Sequence, residues 1–424
     1  MSRFRVNSGG IATLADSLLF KVPTIGISIF LANSPDVVDF AFLVGLTTLI
    51  TLSQALFEIP MSGYLSRHTK FSFGRFNFKN FKWKTIWFVF FIIFLLNLND
   101  NIYGLLSIHS ALILIYLSTS LLSEGFNLKL IEYRNWRVLL IFRTLSTFLG
   151  FGCFLLVFNQ SGLVTRYLIF IAVSQTIFLA FSQIYFLRMT MNSSKPSVLL
   201  EEDIDELELK KTQTMSALAW LSNQVEKAIS VVFGSITTLA VTGFFLSIVR
   251  LLNDITYESL NRYFRNQIVI SNFYNLRKMS TKIFLMSIFI MILNCSIIYL
   301  VFHFDFFSNF SSYQLSLICF SLVSLPSIRN GFIYTMLYMV SGSDCVIKIR
   351  RKLILIGIIC GIILVVDIKL GLIALGLKEC FATSVLSDRR KDTYRDFEPR
   401  YINYFLHLTQ VIGMCGLTLV LLNE

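Results

Sequence analysis

The chain has 424 residues, 55% of them hydrophobic and 15% charged, with a mean hydropathy of +0.69. That balance excludes an ordinary soluble domain, and apolar runs recurring from end to end read as an all-α polytopic membrane protein. The formal net charge of +12 would point a soluble protein toward nucleic acid. Here most Lys and Arg fall in alternate loops, so topology is their first explanation and nucleic acid is not an expected partner.

In chain order, Met1–Gly10 carries Arg3 and Arg5 and leads into an apolar run, Ile11 to Ala32, that holds Asp16 and Lys21. With no small-residue cleavage site it is expected as a retained first helix. The turn Asn33-Ser-Pro-Asp36 opens the second run, Val38 to Gly63, with Glu58 in its inner part just before Pro60. Residues 66–84 contain Arg67, Lys70, Arg75, Lys79, Lys82 and Lys84, no acid, and interleaved Phe and Trp from Phe71 to Trp83. Such a loop is expected to stay cytoplasmic, against the headgroups of membrane lipids. Helices three to six are expected over Thr85–Asn97, Ile102–Ser123, Val138–Phe158 and Val164–Leu187.

From Arg188 to Lys211 the composition turns polar and then acidic, Glu201 to Glu208. This predicts an N-lobe over 1–190, a cytoplasmic linker over 191–213 and a C-lobe over 214–387, followed by a tail over 388–424. The C-lobe opens with a tight hairpin, Thr214–Gly234 and Ile236–Tyr257, that carries Glu226, Lys227, Arg250 and Asp254 inside apolar sequence. Further helices are predicted over Ile283–Phe302 and over Tyr313–Val340, the latter broken or kinked near Pro326 with Arg329 close behind. A basic cluster, Lys348-Ile-Arg-Arg-Lys352, precedes a helix ending near Val366, and Leu370–Leu386 follows. After a basic loop, Asp388–Arg400, the run Tyr401–Leu422 spans the membrane, re-enters it or lies along its surface. With the N-terminus inside, about thirty of the 37 Lys and Arg lie in cytoplasmic loops or at their edges.

A charge at the bilayer centre costs roughly 2.5–3.5 kcal/mol on insertion scales, so deep charges face protein, ligand or a watery cavity. Lys21 and Lys227 lie on the order of 15–20 Å along their helices, near mid-membrane. Four cations, Lys21, Lys227, Arg250 and Arg329, stand against four acids, Asp16, Glu58, Glu226 and Asp254. The set is either an internally neutralised network or a route in which the cations hold a phosphate or diphosphate and an acid carries a coupling proton. Enzyme signatures are missing: there is no GxxxxGK[ST] loop, and His68, His109, His303 and His407 are scattered. The seven cysteines are isolated, so neither a disulfide framework nor a metal site is expected, and no cofactor beyond a coupling ion, H+ or Na+.

The hairpin from Gly10 to Arg67, the segment Ser123-Glu-Gly-Phe through Arg134-Asn-Trp-Arg137, and the central hairpin with Glu226-Lys227 and Gly243-Phe244 resemble the multidrug/oligosaccharidyl-lipid/polysaccharide exporter superfamily, and within it the O-antigen flippases. The family often has Asp-Arg where this chain has Glu226-Lys227. Phe40-Ala-Phe-Leu-Val and Phe244-Phe-Leu-Ser-Ile, each at a similar distance after a lysine, fit a repeat running in one direction. The resemblance implies a MATE-like fold of two six-helix lobes in a parallel pseudo-two-fold repeat, plus one extra C-terminal helix. It also implies a cationic cavity binding substrate through Lys21, Lys227, Arg250 and Arg329, with Asp16, Glu58, Glu226 and Asp254 as the charge network or coupling set. The expected activity is alternating-access transfer of an undecaprenyl-diphosphate-linked oligosaccharide across the bacterial inner membrane for O-antigen or lipopolysaccharide biosynthesis. Partners would include the polysaccharide polymerase and chain-length machinery. The alternative on the same fold is a cation-coupled multidrug antiporter.

Overall fold

The structure, a computed structural model, describes residues 37–57, 111–120, 122–123, 136–156, 162–192, 206–247, 249, 273–304, 308–341, 343–393 and 400–423. These residues are almost entirely helical. In chain order the helices are α1 (Val37–Phe57), α2 (Ala111–Ser120), α3 (Trp136–Leu156), α4 (Leu163–Asn192), α5 (Glu206–Phe233) and α6 (Ile236–Ser247). They continue as α7 (Phe273–His303), a 3-10 turn at Ser308–Tyr313, α8 (Gln314–Val323), α9 (Ser327–Ser341), α10 (Ser343–Val366), α11 (Ile368–Thr393) and α12 (Arg400–Asn423).

Among the described residues six helical stretches are long and apolar enough to cross a bilayer: Val138–Leu156, Leu163–Tyr185, Lys278–His303, Asn309–Tyr334, Ile368–Ser387 and Tyr401–Asn423. The chain is therefore a helical membrane protein. It divides into two compact units, Met1–Ile27 with Leu49–Ala217, and Ser28–Thr48 with Leu218–Glu424.

In the first unit α3 and α4 pack as an antiparallel pair. The inward stripe of α3 is Leu139, Arg143, Ser146, Gly150 and Phe154, spaced by three and four as one helix face demands. A Cβ at Gly150 would run into Ser174 Oγ and come within 3.0 Å of Phe170 O, so glycine is what lets the two backbones approach. The opposite face is apolar too: Ile141, Leu145, Leu155 and Phe148, which is 69% exposed. Water would penalise such a surface, whereas hydrocarbon solvates it.

In the second unit the first half of α1 packs on α6 and the 3-10 turn. Phe40 meets Phe244 edge-on at 6.4 Å and Phe310 at 5.8 Å, and Phe244 stacks on Phe310 at 4.2 Å. Val44 fills the notch left by Gly243. The two Phe-rich segments that the sequence pairs by pattern thus touch one another.

The break near Pro326 is a turn over residues 324–326 that separates α8 from α9. Proline has no N–H to give and Ser327 N donates instead to Ser324 O, at 2.9 Å. The carbonyl of Val323, which would have received Ser327 in a continuous helix, takes Gln410 Nε2 of α12 at 3.1 Å. Lipid offers no hydrogen bonds, so a broken helix needs such a neighbour. α12 buries one stripe, Ile402, Leu406, Gln410, Gly413, Leu417 and Leu421, and Gly413 and Gly416 bring it against Cys319 of α8.

Candidate functional site

α5 and α6 are joined by Gly234 and Ser235 alone, and Ser235 Oγ caps α6 by accepting Thr238 N at 3.1 Å. On α5, Glu226 and Lys227 are neighbours and so point about 100° apart. Lys227 is buried and reaches across the hairpin to Ser247 Oγ at 3.2 Å. Glu226 turns to the other side, toward α10 and α11.

That direction leads to a closely packed polar cluster. Glu226 is 0% exposed and pairs through Oε1 with Lys378 of α11, itself 4% exposed. Lys378 Nζ also donates to the Ser222 carbonyl at 2.5 Å, one turn back along α5. Ser222 Oγ accepts Arg350 Nη1 of α10 at 2.7 Å, and Asn223 Oδ1 accepts the same nitrogen at 3.2 Å. The Arg350 guanidinium lies 3.7 Å from the ring centroid of Tyr334 in α9, a cation–π contact. Its charge therefore rests on neutral partners. Gly357 and Gly361 make the approach of α10 to α5 feasible: a Cβ on Gly357 would come within 3.0 Å of Glu226 Oε1 and 3.3 Å of Lys378 Nζ, and one on Gly361 would lie 2.7 Å from Ile229 Cδ1.

A second polar knot ties α9 to α11 and α12. Arg329, 1% exposed, donates to Asn403 Oδ1 at 2.6 Å and Asn330 Oδ1 at 3.3 Å. Asn330 Nδ2 and Gln410 Nε2 both donate to Thr383 Oγ1, at 3.1 and 3.0 Å. In the first unit, Arg143 is buried against the Phe178 ring at 4.0 Å and donates to Gln175, which in turn donates to Ser123.

Of the residues singled out from sequence, Glu226, Lys227 and Arg329 are buried in the second unit, with Glu226 and Lys227 facing different helices. Asp16, Lys21, Glu58, Arg250 and Asp254 lie outside the described residues, as do the basic loop over 66–84 and residues 193–205 of the linker. Sequence reasoning missed Lys378 and Arg350. The first was detectable by the criterion that selected Lys227, a lysine within an apolar run. The second hid in the cluster Lys348–Lys352: the structure exposes Lys348, Arg351 and Lys352 and turns Arg350 inward. The spacing Gly357-Ile-Ile-Cys-Gly361 was the sequence signal for the tight helix contact beside them.

Comparison with protein-family models, with curated proteins and with solved structures finds no match for this chain. Fold and site together define a helical membrane protein with charged groups buried among its helices.

Proposed function

We propose that the chain is a flippase that carries an undecaprenyl-diphosphate-linked oligosaccharide from the cytoplasmic to the periplasmic leaflet of a bacterial inner membrane. One observation carries this reading. Among the described residues of the second unit, four cations are buried, Lys227, Arg329, Arg350 and Lys378, against one buried carboxylate, Glu226. Charges kept inside membrane helices mark a polar route, and an excess of cations suits a substrate whose head carries two phosphates. The basic cytoplasmic loops supply the same preference on the side from which the substrate comes.

In this reading two six-helix lobes, related by a parallel pseudo-two-fold, rock about the substrate by alternating access. Lys227 with Lys21, Arg250 and Arg329 contacts the diphosphate, while the acids balance charge when the site is empty. The protein performs no bond chemistry. Its task is to replace the water around the diphosphate during transit.

The test is complementation in a strain deleted for the gene. Lys227→Ala is expected to abolish surface polysaccharide at unchanged membrane protein level, with Lys227→Arg restoring most of it. Full polysaccharide from Lys227→Ala would remove this residue as a substrate contact. Normal polysaccharide in the deletion strain itself, together with lost efflux of growth inhibitors, would remove the flippase reading.

A further inference from the structure

One stripe of α10 is exposed along its whole length. Its apolar part, from Leu355 through Ile359 and Ile362 to Val366, rises by eleven residues, about 17 Å, against roughly 30 Å of hydrocarbon in a bilayer. Toward the N-terminus the same stripe carries Lys348, Arg351 and Lys352, all exposed and spaced by three and four. Their depth follows from the packing of α10, α11 and α12. Leu364 of α10 lies against Gly371 of α11, and twelve residues from that contact on each antiparallel helix stand Lys352 and Thr383. Thr383 Oγ1 accepts Gln410 Nε2 of α12 at 3.0 Å, so Lys352 is level with Gln410. From there α12 runs nine residues further to Tyr401, about 14 Å, and exposes Tyr401, Tyr404, Phe405 and Leu408 on the way. Hydrocarbon that covered α12 to its start would submerge the three cations of α10, where charge is costly.

We propose that Lys348, Arg351 and Lys352 bind the phosphate headgroups of anionic phospholipids and draw that leaflet inward along α10. The inference needs only a helical membrane protein, whatever it carries; on the orientation proposed above, the leaflet is the cytoplasmic one. Long Lys and Arg stems reach along apolar surface toward the interface and close part of the gap. The leaflet yields the rest, as a bilayer does around an apolar stretch too short for it. Lipid is the occupant because the cations run straight into the apolar track Leu355, Ile359 and Ile362, so phosphate and acyl chain of one molecule meet matching chemistry in order. Each exposed cation favours an anionic over a zwitterionic headgroup, and Arg351 adds the forked donors that suit phosphate oxygens. Arg350, in the same basic run, is turned inward onto Ser222 and Asn223, so the stripe makes the site and not the run as a whole. The acid of the stripe, Asp344, sits in the first turn, a turn beyond Lys348 on the aqueous side, where the helix dipole favours a carboxylate.

The experiment places the purified full chain in phosphatidylcholine nanodiscs with a trace of spin-labelled phosphatidylglycerol or spin-labelled phosphatidylcholine. Electron paramagnetic resonance reads the fraction of each held at the protein surface. Wild type should prefer phosphatidylglycerol by at least about threefold at low ionic strength. Lys348→Gln, Arg351→Gln and Lys352→Gln together should remove most of that preference at unchanged melting temperature. Depth is read separately, by modification of Arg351→Cys and of Leu408→Cys with a water-soluble maleimide, each site counted by mass spectrometry. A thiol reacts as the thiolate, which forms only where water or headgroups reach it. Arg351→Cys should therefore react more than about tenfold faster than Leu408→Cys, although the two positions lie within a turn of one level. No preference for phosphatidylglycerol in wild type, or a preference unchanged in the triple variant, overturns the lipid site. Equal rates at the two positions overturn the inward-drawn leaflet. Fast modification of Arg351→Cys without a lipid preference would mean that an aqueous route meets α10 in place of headgroups, and overturns the proposal as well.

Discussion

Glu226 and Lys378 are each sealed so completely that neither tolerates the loss of the other. Removing one partner of a buried ion pair costs about 3–5 kcal/mol because a charge is stranded, whereas removing both together is close to neutral. Lys378→Met should therefore lower the melting temperature of the detergent-solubilised protein by many degrees, and adding Glu226→Gln should restore most of it. A double variant no more stable than the single one would contradict the pairing. The burial of Glu226 and Lys227 was legible because a charge within an apolar run has few places to go. Their separation was also implicit, since consecutive helical residues cannot face the same neighbour. What could not be read was which helix each would meet: Lys378 is 152 positions from Glu226 along the chain, and nothing local records that distance.

At the scale of helices, small residues and broken backbone set the contacts. Hydrocarbon offers no hydrophobic drive between helices, so close packing at glycine and satisfied backbone carbonyls take its place. Gly361→Val puts a branched side chain where Ile229 and the α5 backbone already sit, and we expect about 1–3 kcal/mol of destabilisation by overpacking. A thermal-denaturation midpoint equal to wild type would rule out the contact. Gln410→Leu strands the Val323 carbonyl at the break between α8 and α9, an unsatisfied group worth about 1–3 kcal/mol. Its thermal midpoint should fall, while Gln410→Glu, which cannot donate when ionised, should be no better. The interruption at Pro326 and the hairpin turn at Gly234-Ser235 were readable as punctuation. The carbonyl's rescuer on α12 was not, because a single Gln in an apolar run has many equivalent explanations.

For the whole molecule, the proposed orientation and the proposed sign of the substrate both rest on the distribution of charge. α12 is long and apolar enough to cross a bilayer, with an apolar exposed surface from Tyr401 to Leu422 outside a single buried stripe, and we expect it to span. With the N-terminus inside, a reporter fused after Glu424 should then be active as periplasmic alkaline phosphatase and dark as green fluorescent protein. The reverse pattern would mean that one expected crossing is missing. Among the described residues the ends of α3, α4 and α10 fall within a few positions of the predicted ones or run past them only as polar extensions, since apolar length and turn residues mark them directly. The grouping of buried charges was not, because Glu226, Arg350 and Lys378 come from distant stretches of the chain.

The central claim is tested most directly by reconstitution. Purified protein in liposomes containing a fluorescent undecaprenyl-diphosphate disaccharide should carry the label between leaflets, made visible by a membrane-impermeant quencher, much faster than protein-free liposomes, and Lys227→Ala should return the rate to that background. A wild-type rate equal to protein-free liposomes, in preparations shown to be folded, would contradict the account.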